Sequence, residues 1–410
     1  MIDWVQFNAL HWQISSSIPN NRYEKLVATP RLRIGEENEG EHRNATWLEH
    51  FYDLVYVVAV SQLAHNLSEN VSLTGFLGFV VLFLPIWWAW IGTTLYANRF
   101  DSDEIAHRLL MGVQMLAIAA LAVNVPHGLG ESSDGFALAY AAARTILVIK
   151  YLWAGWHISQ ARGLTTHYAR GFAIAASLWL ISAFVPMPWR FVLWGIGLAI
   201  DFATPLTATR LQTGLMPHLQ HLPERFGLFT IFVLGEAIIA VVSGVAEQDW
   251  GDKSAIAAAF GFGIAFSLWW VYFQNISGSA LRTARASGRI QVFNVWLYGH
   301  LPLVIGLAAT GVGVEHVILS EAESALPDAE RWLLCGSVAL CFLSLGILHR
   351  TGVIRYCKLR TKHRLGTVAA LLALAIAGTN LLPVTVIAIV SIVCATQVLL
   401  DLYQSSSALA

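Results

Sequence analysis

Apolar residues occur along this chain in long runs separated by short polar stretches, and not in the one-sided stripes of amphipathic helices. Residues 75–97 form one such run, and residues 367–400 form another that is long enough for two crossings of a bilayer. A run of about 18 or more apolar residues with few charges indicates a membrane-spanning helix. The pattern therefore predicts an all-α fold, a polytopic transmembrane helical bundle.

The runs predict about twelve spans, with Pro383 at the turn between the last two. They lie near residues 46–66, 73–97, 105–125, 135–157, 170–187, 190–209, 223–245, 254–275, 290–313, 331–349, 366–381 and 383–402. We expect a polar cytoplasmic tail over 1–45, two six-helix units over 46–210 and 211–402, and a short tail over 403–410.

The positions of lysine and arginine test this span count, because these residues accumulate in cytoplasmic loops. With the N-terminus inside, nineteen of the 25 lie in inner segments. Three lie in outer loops and three within spans, and one wrong span would destroy this alternation. The pattern predicts a multi-pass protein of the bacterial inner membrane with both termini in the cytoplasm.

Composition agrees with a membrane protein and excludes a nucleic-acid partner. The 410 residues are 56% hydrophobic and only 12% charged, whereas soluble domains carry about 25% charged residues. The 16 tryptophans suit bilayer interfaces, and the net charge of −1 gives no basic surface. The predicted partner is the lipid bilayer, together with an unidentified small molecule or ion, protons included.

The two predicted units resemble each other in sequence. Glu49 aligns with Glu224, and the basic His50 aligns with Arg225, at an offset of 175 residues. Two tryptophan-rich segments follow in the same order, PIWWAWIG in span two and SLWWVYFQ in span eight. Six spans separate the matched helices, so the copies enter the membrane in the same direction. This arrangement predicts two parallel six-helix repeats related by a pseudo-two-fold axis along the membrane normal.

Ionised side chains within membrane spans cost about 2.5–3.5 kcal/mol each on insertion scales, so they are expected to face the bundle interior. In span one, Glu49 and Asp53 are four residues apart and lie on one helix face. Two hypotheses fit this pair. The carboxylates share a proton on a substrate or ion pathway, or they bind arginines and hold helices together.

Span seven contains Glu224, Arg225 and Glu236. Arg225 and Glu236 share a face about 16 Å apart, so they do not contact each other. Glu236 lies between apolar segments near mid-membrane, which makes it the first candidate for a functional group. In span nine, His300 precedes Pro302, and a histidine there suits a proton carrier or a hydrogen bond in the core.

Further charged residues form three candidate groups. Arg144 in span four and Asp201 in span six are single opposite charges that neutralise each other or the carboxylates of spans one and seven. At the outer ends of spans three and nine lie His127 and Glu315. The inner loop between spans two and three is predicted to form a cytoplasmic latch or gate through its mixed charges, Arg99, Asp101, Asp103 and Arg108.

Motifs of known enzyme and metal chemistry do not occur in the sequence. There is no His-x-x-x-His or His-Glu-x-x-His pattern, no nucleotide-binding loop and no nucleophile elbow. We therefore name no catalytic residue, no metal ligand and no cofactor. An enzymatic role is less expected than a non-enzymatic one.

Several motifs together resemble the low temperature requirement A (LtrA) family of bacterial membrane proteins. They are EHFYDLVYVVAVSQLAH, NRFDSDE, VPHGLG, HLPERFGLFTIFVLGEAI and HLPLVIG, in this order over residues 46–320. His50 departs from the family pattern, which usually has an apolar residue there. The resemblance implies a link to growth in the cold but no substrate. It points to Glu49, Asp53, Arg99, Asp101, His127, Glu224, Arg225, Glu236 and His300.

Three functional hypotheses follow from the sequence. The first is a secondary transporter or ion- or proton-translocating protein that uses intramembrane carboxylates and histidine. The second is a membrane-embedded enzyme for a lipid-soluble substrate, with the same carboxylates as acid and base and a tryptophan-lined pocket. The third is an envelope or cold-stress accessory protein that transports nothing, in which the buried charges serve assembly.

Overall fold

The structure is a computed structural model, and it leaves most of the predicted N-terminal tail outside its description. It describes residues 30–32, 45–101, 105–218, 221–248, 251–275, 279–351 and 357–406. Within these ranges nearly all of the backbone is helical.

The first half of the chain contains six long helices. They are α1 (Trp47–Ser68), α2 (Leu73–Arg99), α3 (Ile105–Val123), α4 (Ser133–His157), α5 (Arg162–Ser182) and α6 (Trp189–Thr207). A single 3₁₀ turn, Ser159–Ala161, joins α4 to α5, and a short helix α7 (Thr209–Thr213) follows α6.

In its described ranges the second half contains six further long helices and one short one. They are α8 (His221–Ala246), α9 (Asp252–Asn275), the short α10 (Ser279–Ser287), α11 (Ile290–Leu319), α12 (Asp328–His349), α13 (Cys357–Ala377) and α14 (Pro383–Ser406).

Each of the twelve predicted spans coincides with a long helix. Eight of the helices in the described ranges, α2, α3, α4, α8, α9, α11, α12 and α14, are long and apolar enough to cross a membrane. The all-helical, multi-span architecture is therefore confirmed, and the count of twelve stays a prediction. Large apolar side chains also cover the outside of the bundle, Leu116, Val123 and Ile376 among them, as contact with lipid requires.

The helix boundaries differ from the predicted ones in two informative places. Helix α5 begins at Arg162 and ends at Ser182, whereas the span was predicted over 170–187. Helix α11 continues to Leu319 beyond the predicted end at 313, so Glu315 lies within the helix. In both cases the helix continues beyond the apolar run that predicted it.

Helix neighbours follow the same order in both halves. In the first half α1 packs on α2 and α3, α3 on α4, and α4 on α5; in the second α8 packs on α9 and α11, α11 on α12, and α12 on α13. The two halves meet where α1 contacts α8 and α11. This parallel order is what a repeat requires, and the repeat and its symmetry remain predictions.

Helix α11 lies at the centre of the second half and packs closely because of its glycines. A Cβ added at Gly311 would lie 2.9 Å from the Cα of Ala237 in α8, and one added at Gly313 would lie 2.9 Å from the Cα of Leu334 in α12. Residues without side chains at these two positions let the backbones approach each other, which is how membrane helices gain packing energy.

Aromatic rings fill the space between the two halves. The Trp88 ring of α2 stacks on Phe202 of α6, with centroids 4.1 Å apart, and on Tyr298 of α11 at 5.5 Å. Trp90 stacks on Phe229 of α8 at 4.3 Å. These tryptophans are buried, so they pack the core instead of lining a cavity.

A short antiparallel pairing ties part of the N-terminal tail to the bundle. Strand β1 (Arg31–Leu32) pairs with β2 (Phe100–Asp101), with Arg31 opposite Asp101 and Leu32 opposite Phe100. Both segments are on the predicted cytoplasmic side. No sequence pattern predicted this contact, because two residues are too few for a strand pattern.

Candidate functional site

The contact surface of α1 with α8 and α11 is here called the seam, and its inner and outer ends are those of the predicted orientation. It contains an ion pair at its inner end. Arg225 of α8 donates from Nη2 to Oδ1 of Asp53 at 2.6 Å and from Nε to Oδ2 at 3.0 Å. Both side chains are buried. This two-point contact of a guanidinium with a carboxylate is geometrically specific, and it joins the first half of the chain to the second.

Glu49, one helical turn before Asp53, belongs to the same cluster. Its Oε1 lies 3.3 Å from Nη1 of Arg225, and its Oε2 lies 3.3 Å from Nε2 of His221. Oε2 also accepts a hydrogen bond from the backbone N–H of Thr46 at 2.7 Å, which caps the start of α1. The predicted shared face of Glu49 and Asp53 therefore points at α8.

Helix α2 completes the inner cluster from the other side. Trp90 donates from Nε1 to Oδ1 of Asp53 at 2.7 Å. Asn98 Nδ2 lies 3.2 Å from Nδ1 of His221, and Asn98 Oδ1 accepts from the backbone N–H of His218 at 2.6 Å. The end of α2 is thus bonded to the segment that connects the two halves of the chain.

Glu236 lies at the middle level of the seam. Its Oε2 accepts a hydrogen bond from Ser61 Oγ of α1 at 2.6 Å, and the residue is 8% exposed. Within the described part of the chain, no lysine, arginine or histidine lies within ion-pair distance of this carboxylate. Arg225, on the same helix, is bonded to Asp53 instead.

The outer end of the seam contains a third polar cluster. Ser68, the last residue of α1, donates from Oγ to Oε2 of Glu315 at 3.3 Å. His316 Nε2 lies 3.0 Å from the carbonyl oxygen of Ser68, to which it donates. His316 Nδ1 lies 3.9 Å from Glu330, whose other oxygen accepts from Ser320 Oγ at 2.7 Å.

His300 lies apart from the seam carboxylates and is enclosed by aromatic rings. Its Nδ1 donates to the carbonyl oxygen of Trp296 at 2.7 Å, and its Nε2 lies 3.3 Å from the hydroxyl of Tyr272. Phe226 packs edge-on at a centroid distance of 4.7 Å. Both ring nitrogens thus have a polar atom within reach inside the core, and a role for His300 as a proton carrier stays a prediction.

Arg144 and Asp201 contact each other within the first half. Arg144 Nη2 binds Oδ1 of Asp201, and Tyr140 donates to Oδ2 of Asp201 at 2.6 Å. The guanidinium also stacks over the Phe172 ring at 4.1 Å. The structure therefore pairs these two predicted charges with each other and not with the carboxylates of α1 or α8.

The predicted gating loop is shorter than expected, because Arg99 ends α2 and Arg108 lies in α3. Arg99 is buried and donates from Nε to the carbonyl oxygen of Leu215 at 3.1 Å. Arg108 is exposed. Asp101 lies in β2, and Asp103 lies outside the described residues.

The remaining predicted site residues are not brought into the seam clusters. Glu224 is half-buried and makes no side-chain hydrogen bond within the described ranges. His127 is exposed and lines a cavity of about 510 Å³ at the outer ends of α2 and α3, together with Asn66, Asn70 and Glu131.

Comparison with known proteins agrees with the motifs and with the helical architecture. The family model of the bacterial low temperature requirement A protein (LtrA) matches residues 44–401. The chain belongs to the LtrA family. The uncharacterized protein RA0937 of Rhizobium meliloti (strain 1021) is 28% identical over 302 residues, which are 71% of this chain and 74% of that protein. No solved structure matches the chain.

Sequence reasoning missed one buried network in this LtrA protein. Lys150 of α4 donates from Nζ to Oε1 of Gln114 at 2.7 Å, and Gln114 donates to Thr93 Oγ1 at 2.7 Å. Thr93 in turn accepts from Tyr52 at 2.8 Å, beside Tyr56 at 2.9 Å. Lys150 was visible as a charge within a span, but neutral partners on distant helices carry no sequence signal.

A second missed cluster ties α13 to α14. Arg364 donates from Nη1 to Oε1 of Gln397 at 2.5 Å and from Nη2 to Asp401. The sequence placed Arg364 in an inner loop, and its position on α13 buries it completely. Among the described residues, no group of three or more His, Cys, Asp or Glu side chains is placed to hold a metal ion.

The seam of this LtrA protein thus has polar contacts at three levels. From Glu49 to Ser68, α1 rises about 28 Å at 1.5 Å per residue, which is close to the hydrocarbon thickness of a bilayer of about 30 Å. Between these ends lies Ser61 with its contact to Glu236. The arrangement offers proton or cation ligands at the inner, middle and outer levels of a single helix interface.

Proposed function

We propose that this protein is a secondary transporter or an ion- or proton-translocating protein of the bacterial inner membrane, with both termini in the cytoplasm. The proposed pathway follows the seam. Glu236 is its central titratable group, and the cluster of Glu49, Asp53 and Arg225 closes its inner end.

The observation that carries this proposal is the environment of Glu236. A mid-membrane carboxylate is costly to insert, so it is retained only where it has a role. Structural carboxylates in this chain contact arginines, as Asp53 and Asp201 do. Glu236 instead contacts a serine hydroxyl. A carboxylate without a fixed cation is the group that can take up and release a proton or a small cation.

The position of Glu236 supports the same function. It lies between the two halves of the bundle, where α8 meets α1, and transporters built from repeats bind substrate and coupling ions at such an interface near the midplane. Titratable groups lie on both sides of it along the seam, at Glu49 on the inner side and at Glu315 on the outer side.

The test is ion flux through the purified protein in liposomes. A pH-sensitive dye inside the vesicles reports proton entry after an imposed pH or ion gradient. We expect flux above that of empty liposomes, loss of this flux in Glu236→Gln, and unchanged flux in the matched control Glu321→Gln, since Glu321 is exposed outside the seam. Full flux in a folded Glu236→Gln protein would show that the pathway is wrong.

The same experiment separates the other hypotheses of the sequence analysis. A folded wild-type protein that gives no flux under any gradient favours the membrane-embedded enzyme. A Glu236→Gln variant that is depleted from the membrane, with unchanged flux per molecule, favours the accessory protein whose buried charges serve assembly. Size-exclusion profiles and membrane abundance are therefore measured together with flux.

A further inference from the structure

A groove of about 790 Å³ lies on the outside of the bundle between the first turns of α5 and the last turns of α6. It is at the predicted cytoplasmic end of both helices. Its wall on α5 is polar and cationic, and its wall on α6 and α7 is largely apolar. The residues that matter here are Arg162, His167, Arg170, Ile200, Ala203 and Leu211.

The charges of the groove are positive and unbalanced. Arg162 and Arg170 are exposed on one face of α5, eight residues and about 12 Å apart. Arg162 donates from Nε to the carbonyl oxygen of Gly155 at 3.2 Å, which holds its guanidinium at the groove. No aspartate or glutamate lines the groove, and neither arginine forms an ion pair with a described carboxylate.

The floor of the groove is fixed by contacts between α5 and α6. His167 Nε2 lies 3.1 Å from the carbonyl oxygen of Thr204 and 3.1 Å from Thr207 Oγ1. A Cβ added at Gly171 would lie 2.2 Å from Thr204 Oγ1, so the helices touch there and close the groove at its deep end. These contacts fix the shape of the groove.

The surroundings of the groove indicate that its ligand arrives from the bilayer. Ile174 of α5 is 54% exposed and Ile196 of α6 is 46% exposed, so both helices face lipid beyond the groove. Trp156, close to Arg162 in the chain, is 77% exposed, as tryptophans at the membrane–water interface are. The extension of α5 to Arg162 places both arginines at headgroup level on the cytoplasmic side.

We propose that this groove binds an anionic phospholipid of the cytoplasmic leaflet. The phosphate lies between the guanidiniums of Arg162 and Arg170, and one acyl chain follows the apolar wall at Ile200 and Ala203. Guanidinium groups bind phosphate oxygens through paired, charge-assisted hydrogen bonds. Basic pockets between membrane helices on the cytoplasmic side bind anionic headgroups by the same chemistry.

The test compares two lipids with identical acyl chains, phosphatidylglycerol and phosphatidylcholine, by native mass spectrometry of the full-length protein in detergent. We expect wild type to retain phosphatidylglycerol in preference to phosphatidylcholine. In Arg162→Gln/Arg170→Gln the retention of phosphatidylglycerol falls at least about tenfold, since a hydrogen bond to a charged group contributes about 1.5–3 kcal/mol. The matched control Arg282→Gln/Arg289→Gln removes two exposed charges from the same predicted side, outside the groove, and keeps the preference.

A second variant tests the acyl-chain part of the groove. Ala203→Phe keeps every charge and narrows the apolar wall, so it weakens retention of the diacyl lipid. Equal retention of both lipids by wild type overturns the proposal. It is also overturned if Arg282→Gln/Arg289→Gln loses as much phosphatidylglycerol as Arg162→Gln/Arg170→Gln does. Two further results together would make the groove a site for soluble phosphate and also overturn the proposal. Equimolar inorganic phosphate would displace phosphatidylglycerol, and Ala203→Phe would retain the lipid as wild type does.

Discussion

Arg225 holds both oxygens of Asp53, and this contact joins residues that are 172 positions apart in the chain. The partners belong to different halves of the bundle, and both are buried. Coulomb attraction between buried charges is strong, but each also loses its hydration, so the pair contributes to stability only while it is complete.

Replacing one partner of this pair is therefore predicted to lower the free energy of unfolding more than replacing both partners together. Arg225→Gln leaves the Asp53 carboxylate buried without its cation, and Asp53→Asn leaves the guanidinium with the single, more distant contact to Glu49 at 3.3 Å. Each is expected to lower the free energy of unfolding by about 3–5 kcal/mol. In the double variant Asp53→Asn/Arg225→Gln the free energy of unfolding is expected to fall by much less than the sum of the two single losses. Thermal unfolding in detergent measures all three variants.

The control for this cycle is the pair Asp328 and Arg331 of α12. Their contact is 2.6 Å long, but the Asp328 side chain is mostly exposed, so Asp328→Asn should change stability by about 1 kcal/mol or less. Additive losses in the Asp53 and Arg225 cycle would contradict the prediction, because additivity means that the two side chains do not interact.

Replacement by methionine is predicted to affect the thermal unfolding midpoint differently at Lys150 and at Arg144. Within the described ranges the buried Lys150 has neutral partners only, so Lys150→Met should raise the thermal midpoint or leave it unchanged. Arg144→Met leaves the buried Asp201 carboxylate without its cation and should lower the midpoint. Thermal scans of the two variants at equal detergent concentration give the comparison.

A fall in the midpoint of Lys150→Met as large as that of Arg144→Met would mean that an anion absent from the described contacts balances Lys150. The conservative variant Lys150→Arg separates packing from charge, since it keeps the charge and changes the shape of the donor.

Glycine positions on α11 are predicted to be intolerant of side chains. Gly311→Val and Gly313→Val each place a branched side chain against backbone atoms of a neighbouring helix that would be 2.9 Å from its Cβ. Overpacking of this kind typically costs about 1–3 kcal/mol. Gly336→Val is the matched control on α12, because no atom lies within 4 Å of an added Cβ there. Fluorescence-detected size exclusion after heating measures all three.

The direction of the chain through the membrane is predicted by the lysine and arginine count and is open to a direct test. In a background without the native cysteines, Ser324→Cys should react with a membrane-impermeant maleimide in intact cells. Ser287→Cys should react only after the membrane is permeabilised. Both serines are exposed, so accessibility depends on the side of the membrane alone. The reverse pattern would place the termini outside.

Sequence patterns located the long helices well because each long helix overlaps a run of apolar residues. They failed where helix and apolar run differ, at the start of α5, where Arg162 and Arg170 belong to a helix that continues beyond the predicted span. The spacing of Glu49 and Asp53 fixed their common face correctly. It carried no information about the helix that supplies Arg225, because contacts between distant spans depend on packing.

The candidate site was predicted in part for the same reason. In-span charges stand out in an apolar sequence, so Glu236, Arg144 and Asp201 were found from the sequence. The serine that bonds to Glu236 was not, since a hydroxyl residue such as Ser61 is common in membrane helices and gives no signal of its own. Neutral polar partners are visible only in the packed structure.

The two ends of the seam differ in strength, which gives it a preferred direction of opening. The inner end is closed by a buried guanidinium that binds two carboxylates, and the outer end is closed by longer hydrogen bonds from Ser68 and His316 beside partly exposed glutamates. Water reaches the outer bonds more readily and replaces them at little cost. If α1 separates from α8 and α11, the separation starts at the predicted outer end, and the contacts of Arg225 break last.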